Sequence, residues 1–188
     1  MDDALTAETR AARPGDLLDH ALFEVDHLIT ELGTVARPLI EHNANSFVLD
    51  VQDGLGLLYG DKLRVRQVVL NLLSNAAKFT SAGTVTLRVA REALPGGECM
   101  VFEVRDTGIG MRAEEIEQLF QEFTQVSVEG RRSGGTGLGL ALSRKLCQLM
   151  DGDIEVRSQV GAGSVFRALI PAREAPAPEA AAAIGSES

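Results

Sequence analysis

The chain has 188 residues, 45% of them hydrophobic and 24% charged, which fits one soluble globular domain with a sizeable core. Its formal net charge of −9 excludes a sequence-independent nucleic-acid binder, whose footprint is basic. Any polyphosphate it takes must be held by local cations, backbone N–H groups and a metal, against an unfavourable overall field.

No apolar run approaches the length of a membrane span and the start (MDDALTAETR) is polar and acidic rather than signal-like, so no membrane contact is expected of this segment. Cys99 and Cys147 lack metal-ligand spacing and read as reduced core residues of a cytoplasmic protein. Residues 1 to about 15 are polar and closed by Arg13, Pro14 and Gly15, and 1–22 as a whole read as a linker or the stub of an upstream dimerisation domain. A short first strand is expected at 23–25, followed by a helix to about residue 42, capped by Asp26. Leu28, Ile29, Leu32, Val35, Leu39 and Ile40 stand at its core-facing spacing, and Pro38 should kink it or mark a late turn. A turn at 43–45, a strand at 46–51 (SFVLDV) and a short extended piece at 57–59 come next.

Residues 64–80 (RVRQVVLNLLSNAAKFT) form the helix around which the chain is organised, with Asp61 as its natural N-cap. Val65, Val68, Val69, Leu72, Leu73 and Ala76 make a core stripe. Gln67, Asn71, Asn75 and Lys78 make a second stripe within an arc of roughly 80°. Two amides one turn apart suit a hard cation that keeps much of its water, such as Mg²⁺, and a lysine one turn further suits phosphate. A buried helix whose two asparagines satisfy neighbouring loops would carry the same pattern.

Strands at 84–91 and 99–105, turning at Pro95, Gly96 and Gly97, read as an antiparallel hairpin. A short helix at 113–120 precedes a long loop at 121–135, and a helix at 136–150 carries Leu138, Ala141, Leu142, Lys145, Leu146 and Leu149 at helical spacing. Asp151 and Gly152 stop it, and strands at 154–158 and 164–170 follow. Residues 172–188, rich in Ala, Pro, Glu and Ser, read as a flexible tail. The core, about 23–171, is then α+β: a two-layer α/β sandwich with about three helices over one face of a mixed sheet.

Two further stretches carry chemistry. Asp106 ends an apolar strand, with Gly108 and Gly110 just beyond it. A carboxylate so placed accepts a hydrogen bond from the amine of a flat ligand, while the glycines let backbone pack close to the ring. A tight β-turn is an equal reading of the same residues. The Asp-Thr-Gly of an aspartic protease needs two such aspartates sharing a proton and an all-β chain, and this sequence has neither. The run Gly134 to Leu140 (GGTGLGL) opens a helix, where N–H groups and the positive dipole end face an anion. No Gly-Lys-Ser/Thr follows it, so it is not a Walker A loop.

In order, the Asn71/Asn75/Lys78 helix, the Asp-x-Gly-x-Gly of 106–110, the Phe-Gln-Glu-Phe of 120–123 and the glycine run of 135–139 resemble the N, G1, F and G2 boxes of the ATP-binding catalytic domain of bacterial sensor histidine kinases. That domain belongs to the superfamily shared with the heat-shock chaperone, mismatch-repair and type II topoisomerase ATPases, whose fold is the Bergerat type with a mostly antiparallel sheet. The resemblance implies that Asn75 holds Mg²⁺ with Asn71 beside it, that Lys78 reaches the phosphates of ATP, and that Asp106 reads the adenine amine in a pocket shaped by Gly108 and Gly110. It implies that Gly135, Thr136, Gly137 and Gly139 present the glycine run to the phosphates, with Leu138 and Leu140 walling the pocket. Phe120 and Phe123 would anchor a lid at 124–134, with Arg131 and Arg132 as its cations for the γ-phosphate. Many relatives carry Arg or Lys just after the second phenylalanine, where this chain has Thr124 and Gln125.

The hydrolysing branch carries a glutamate at the position of Asn71, and an amide cannot take a proton from water. The resemblance therefore implies a kinase that passes the γ-phosphoryl group to a histidine on a separate dimerisation domain, with a response-regulator receiver domain downstream. None of His20, His27 and His42 has the acidic residue and Thr-Pro that follow an acceptor histidine in that family, so the acceptor lies outside this chain. A stand-alone serine kinase of the anti-sigma-factor kind, and a nucleotide-binding regulatory module without transfer, share the same boxes.

Overall fold

The computed structural model describes residues 18–120 and 139–173. The central sheet has five strands in the order β2 (Ser46–Val51), β4 (Thr84–Leu94), β5 (Gly97–Asp106), β7 (Gly163–Pro171), β6 (Asp153–Gln159). β2 and β4 are parallel, and every other neighbouring pair is antiparallel. A second, two-stranded sheet pairs β1 (Ala21–Glu24) with β3 (Leu57–Gly60). Three helices pack against one another and the sheet: α1 (Val25–Glu41), α2 (Lys62–Phe79) in the middle, and α4 (Gly139–Leu149). The short α3 (Ala113–Gln118) buries none of its residues. The expected two-layer sandwich is the fold observed, and no described helix is long and apolar enough to cross a membrane.

Alternation along the strands divides the sheet into two chemistries. Val85, Leu87 and Val89 of β4 pair with Asp106, Val104 and Phe102 of β5, and all six are buried. The opposite face carries charge: Arg167 lies between Glu92, Glu103 at 3.5 Å and Glu155 at 2.7 Å. The first face carries most of the buried apolar surface, and the helices pack against it, whereas the opposite face buries only the Ala90–Val101 pair of β4 and β5 among its charges.

α2 is held at both ends. Asp61 Oδ1 accepts from the Arg64 N–H at 3.0 Å, and its Oδ2 accepts from the Asp19 N–H at 3.1 Å, which closes the N-terminus as the sequence predicts. At the other end Asn43 Nδ2 donates to the Ala77 carbonyl at 2.9 Å, and Asn45 Nδ2 donates to the Thr80 carbonyl at 2.9 Å. The stretch 43–45 is therefore more than a turn, because its asparagines cap a helix more than thirty residues away. Between these ends Val65, Val68, Val69, Leu72 and Leu73 are sealed from solvent, each contributing about 1.5–3 kcal/mol of burial.

Three expectations need correction, and a fourth, that Pro38 marks a late turn, holds. α1 starts at Val25, one residue before Asp26, and its N-cap Glu24 makes no side-chain cap bond; Asp26 lies inside the first turn. Val35 and Leu39 are 43% exposed, not core. The centre of the buried face includes the small Ala36 and Gly33, whose added Cβ would stand 3.3 Å from Leu49 Cδ1, so α1 approaches β2 through small residues and turns its apolar edge outward. Pro38 is accommodated in the last turn, where its carbonyl accepts from the His42 N–H at 3.2 Å. Cys99 is half-buried on the polar face, because the alternation that buries Met100 and Phe102 directs it the other way.

Candidate functional site

α2 carries two corners of one site, at Asn71 and at its last residue Phe79, eight positions and so about 12 Å apart along the helix axis. At the first, Asn71 Nδ2 donates to Ser143 Oγ of α4 at 2.9 Å. The other side of the same amide faces the first turn of α4, where a Cβ on Gly139 would stand 2.7 Å from Asn71 Oδ1. The first described turn of α4 thus lies against the amide stripe. Ser143, 2% exposed, is what the α4 pattern missed: α4 is rotated so that Ser143 meets Asn71, which leaves Leu142 49% exposed.

Asn75 follows one turn later, half-buried, and its amide makes no hydrogen bond among the described residues. Lys78 is exposed, with Nζ 5.2 Å from the centre of the Phe79 ring. Gln67, at the far end of the stripe, is engaged by Arg64, whose Nη1 donates to its Oε1 at 3.2 Å. No group of three or more His, Cys, Asp or Glu able to hold a metal occurs among the described residues. The donor set is instead amide oxygen, which fits an ion such as Mg²⁺ that keeps several waters and takes its other ligands from phosphate.

The second corner is built where α2 ends. The Phe79 carbonyl accepts from the Ile109 N–H at 3.3 Å, and the Thr107 hydroxyl accepts from the Thr84 N–H at 2.9 Å, so the loop after β5 is tied both to α2 and to β4. Asp106 is 5% exposed. Burial pushes its carboxyl pKa above the ordinary aspartate value, opposed by the Gly108 and Ser164 backbone and by the polarity of the neighbouring Thr80 hydroxyl, which makes no hydrogen bond of normal geometry. Oδ1 accepts the Gly108 N–H at 2.8 Å, and an ionised carboxylate, with about four lone-pair sites, has acceptor capacity beyond that bond for a ligand amine.

Gly108 and Gly110 are glycine for the protein's own sake. A Cβ on Gly108 would overlap the Phe79 carbonyl oxygen, and one on Gly110, at φ +66°, would overlap the carbonyl oxygen of Gln159. The loop is pinned further by Met111 N–H donating to Ser158 Oγ at 2.8 Å, and Ser158 Oγ lies 2.9 Å from Ser164 Oγ. The sequence signal for Ser158 and Ser164 was two serines at buried-face positions of an alternating hairpin.

Phe120 follows α3 with its ring 4.6 Å from the Arg144 guanidinium, which Asp153 fixes by two bonds of 2.8 and 3.0 Å. Leu140 packs partly buried against the core. Phe123, Arg131, Arg132, Gly135, Thr136, Gly137 and Leu138 lie outside the described residues. The histidines hold surface or capping places: His27 lies 3.5 Å from Glu31, His42 ends α1, and His20 stacks on Tyr59 at 5.7 Å.

Residues 60–174 match the family described as histidine kinase-, DNA gyrase B-, and HSP90-like ATPase. The chain is 43% identical over 117 residues to hybrid signal transduction histidine kinase B of Dictyostelium discoideum, covering 61% of this chain and 6% of that protein. It is 41% identical over 170 residues to sensor histidine kinase RcsC of Escherichia coli (strain K12), covering 83% of this chain and 18% of that one. The chain thus spans less than a fifth of these relatives. Its structure resembles that of full-length ShkA in complex with AMPPNP, at TM-score 0.73 and 31% identity, covering 86% of this chain and 33% of that one. The catalytic domain of histidine kinase ThkA shares the fold at TM-score 0.69 and 23% identity, covering 82% and 96%.

Proposed function

Because the chain belongs to the histidine kinase-, DNA gyrase B- and HSP90-like ATPase family, we propose that it is the Mg²⁺-ATP-binding catalytic module of a two-component sensor histidine kinase. Residues 23–171 form that module, and it passes the γ-phosphoryl group of ATP to a histidine on a separate dimerisation domain, for delivery to a receiver domain. One juxtaposition carries the reading: a single helix brings Asn71 against the start of α4 at one end and its last residues against Asp106 and Gly108 at the other. A nucleotide laid along α2 has its purine amine at Asp106 and its triphosphate at the N-terminus of α4.

Asn75 contributes an amide oxygen to the magnesium ion, which neutralises charge on the phosphates. Asn71 is held by Ser143 and, being an amide, takes no proton from water, which favours transfer to an outside nucleophile over hydrolysis. Lys78, with Arg131 and Arg132 by the family resemblance, meets the remaining phosphate charge, so catalysis is positioning plus electrostatic stabilisation. ATP chemistry and two free thiols suit the reducing cytoplasm.

The test uses labelled ATP, Mg²⁺ and a histidine-bearing dimerisation domain added in trans. Label that enters the added domain and is released by acid is the expected result, and acid-stable label or none refutes transfer to histidine. In the same assay Asn75→Ala should lose the dependence of ATP binding on Mg²⁺. Retention of that dependence would remove Asn75 from the metal site.

A further inference from the structure

Among the described residues one buried side-chain polar atom has no hydrogen-bond partner, the hydroxyl oxygen of Thr80, in a residue only 2% exposed. Buried hydroxyls are nearly always paired, so an orphan in a native structure calls for a reason. Its backbone is not free to drift, since Asn45 holds the Thr80 carbonyl and Ile109 holds the carbonyl before it. Its side chain is enclosed as well. Cγ2 lies 2.6 Å from where a Cβ on Gly83 would stand, and Oγ1 lies 2.8 Å from where one on Gly108 would stand. That second point is also 2.9 Å from Asp106 Oδ1, so hydroxyl and carboxylate converge over the same glycine.

We propose that Thr80 is the positioning residue of the base-reading carboxylate: when a nucleobase amine engages Asp106, the orphaned hydroxyl turns onto the same carboxylate and holds it ionised and aimed. This inference rests on the nucleotide reading above and deepens it. Asp106 needs such a partner because burial favours its neutral form, whereas only the ionised form leaves Oδ2 purely an acceptor. The groups that oppose the burial are the backbone of Gly108 and Ser164 and the Thr80 hydroxyl. Lys78 of α2, Arg105 of β5, Arg157 and Asp153 of β6 and Arg167 of β7 are not among the causes of the shift. A hydroxyl that donates to a carboxylate lowers its pKa, so its removal moves ionisation to higher pH.

The experiment measures Mg²⁺-ATP affinity by calorimetry across acid to neutral pH, with a thermal melt of each protein. Thr80→Val keeps the shape and removes the hydroxyl. It should bind ATP about three- to tenfold more weakly at neutral pH, with the acid limb of its binding curve shifted to higher pH and no loss of melting temperature. Thr80→Ser should restore both affinity and acid limb. Wild-type affinity and an unmoved acid limb in Thr80→Val would overturn the inference, as would an equal loss in Thr80→Ser. Should Thr80→Val fail to fold, Thr80→Ala takes its place with the same readings. Absence of ATP binding in the unaltered chain would sink the nucleotide reading itself, an outcome distinct from any difference among the variants.

Discussion

Asp106→Asn is expected to weaken ATP binding by roughly 10- to 150-fold while leaving the fold at least as stable as before. The affinity loss follows from replacing a charge-assisted hydrogen bond of about 1.5–3 kcal/mol with an amide that presents N–H to the purine's own N–H, at about 1.4 kcal/mol per factor of ten. The stability expectation has the opposite sign, because burial raises the folded-state pKa of Asp106. A carboxyl whose folded pKa lies above its unfolded value contributes stability that is fully present below the unfolded pKa and is lost as pH rises through the folded one. At neutral pH the ionised group is therefore a net burden on the empty fold, and a neutral asparagine relieves it, while its Oδ1 still accepts from Gly108. In the unaltered protein ATP affinity should fall on acidification through the raised pKa of Asp106, although the fold gains at this residue over the same interval. Titration calorimetry and urea unfolding on both proteins check the pair of signs. Unchanged affinity in Asp106→Asn would remove the adenine assignment, and a large loss of stability would mean that the charge is structural.

How much of this was legible in the residues depends on where the information sits. α2 was readable because its stripe of branched residues and its amide stripe are both periodic, and the structure places Val65, Val68, Val69, Leu72 and Leu73 where the period puts them. The hairpin β4–β5 and the last two strands were readable from alternation, with ends that extended by one to three residues. Asp106 and the glycines after it could be singled out, but not the reason for the glycines. That reason lies in the Phe79 carbonyl and in the turn between β6 and β7, which are neighbours only in three dimensions.

The misses share that cause. Asn43 and Asn45 looked like turn residues because a side-chain cap on a helix thirty residues later has no local signature. Ser143 is absent from the periodic pattern of α4, because its meaning depends on the rotation of α4 against Asn71. Val35 and Leu39 fit the helical period of the core stripe by size and apolarity, but the face of α1 that approaches β2 is set by the small residues Gly33 and Ala36.

Gly110→Ala should be the most damaging of the conservative changes at the site, and comparison with Gly161→Ala isolates why. Both glycines have positive φ, +66° and +77°, so each alanine carries left-handed strain of about 1–3 kcal/mol. At Gly161 nothing lies within 4 Å of the added Cβ, and strain is the whole effect. At Gly110 the same atom overlaps the Gln159 carbonyl oxygen, with the carbonyl carbon at 2.6 Å and Val160 Cα at 3.1 Å. Backbone cannot rotate aside as a flexible side chain would, so the two segments must separate, for about a further 1–3 kcal/mol. The separation breaks the Gly161 N–H bond to the Ile109 carbonyl, 2.7 Å, and draws Met111 away from Ser158, so the loop carrying Asp106 loses its seat. Gly110→Ala should therefore unfold at markedly lower urea than Gly161→Ala and lose ATP affinity as well, whereas Gly161→Ala should keep it. Equal destabilisation of the two variants, with affinity retained in both, would show that the contact between the β6–β7 turn and the loop after Asp106 does not shape the nucleotide site.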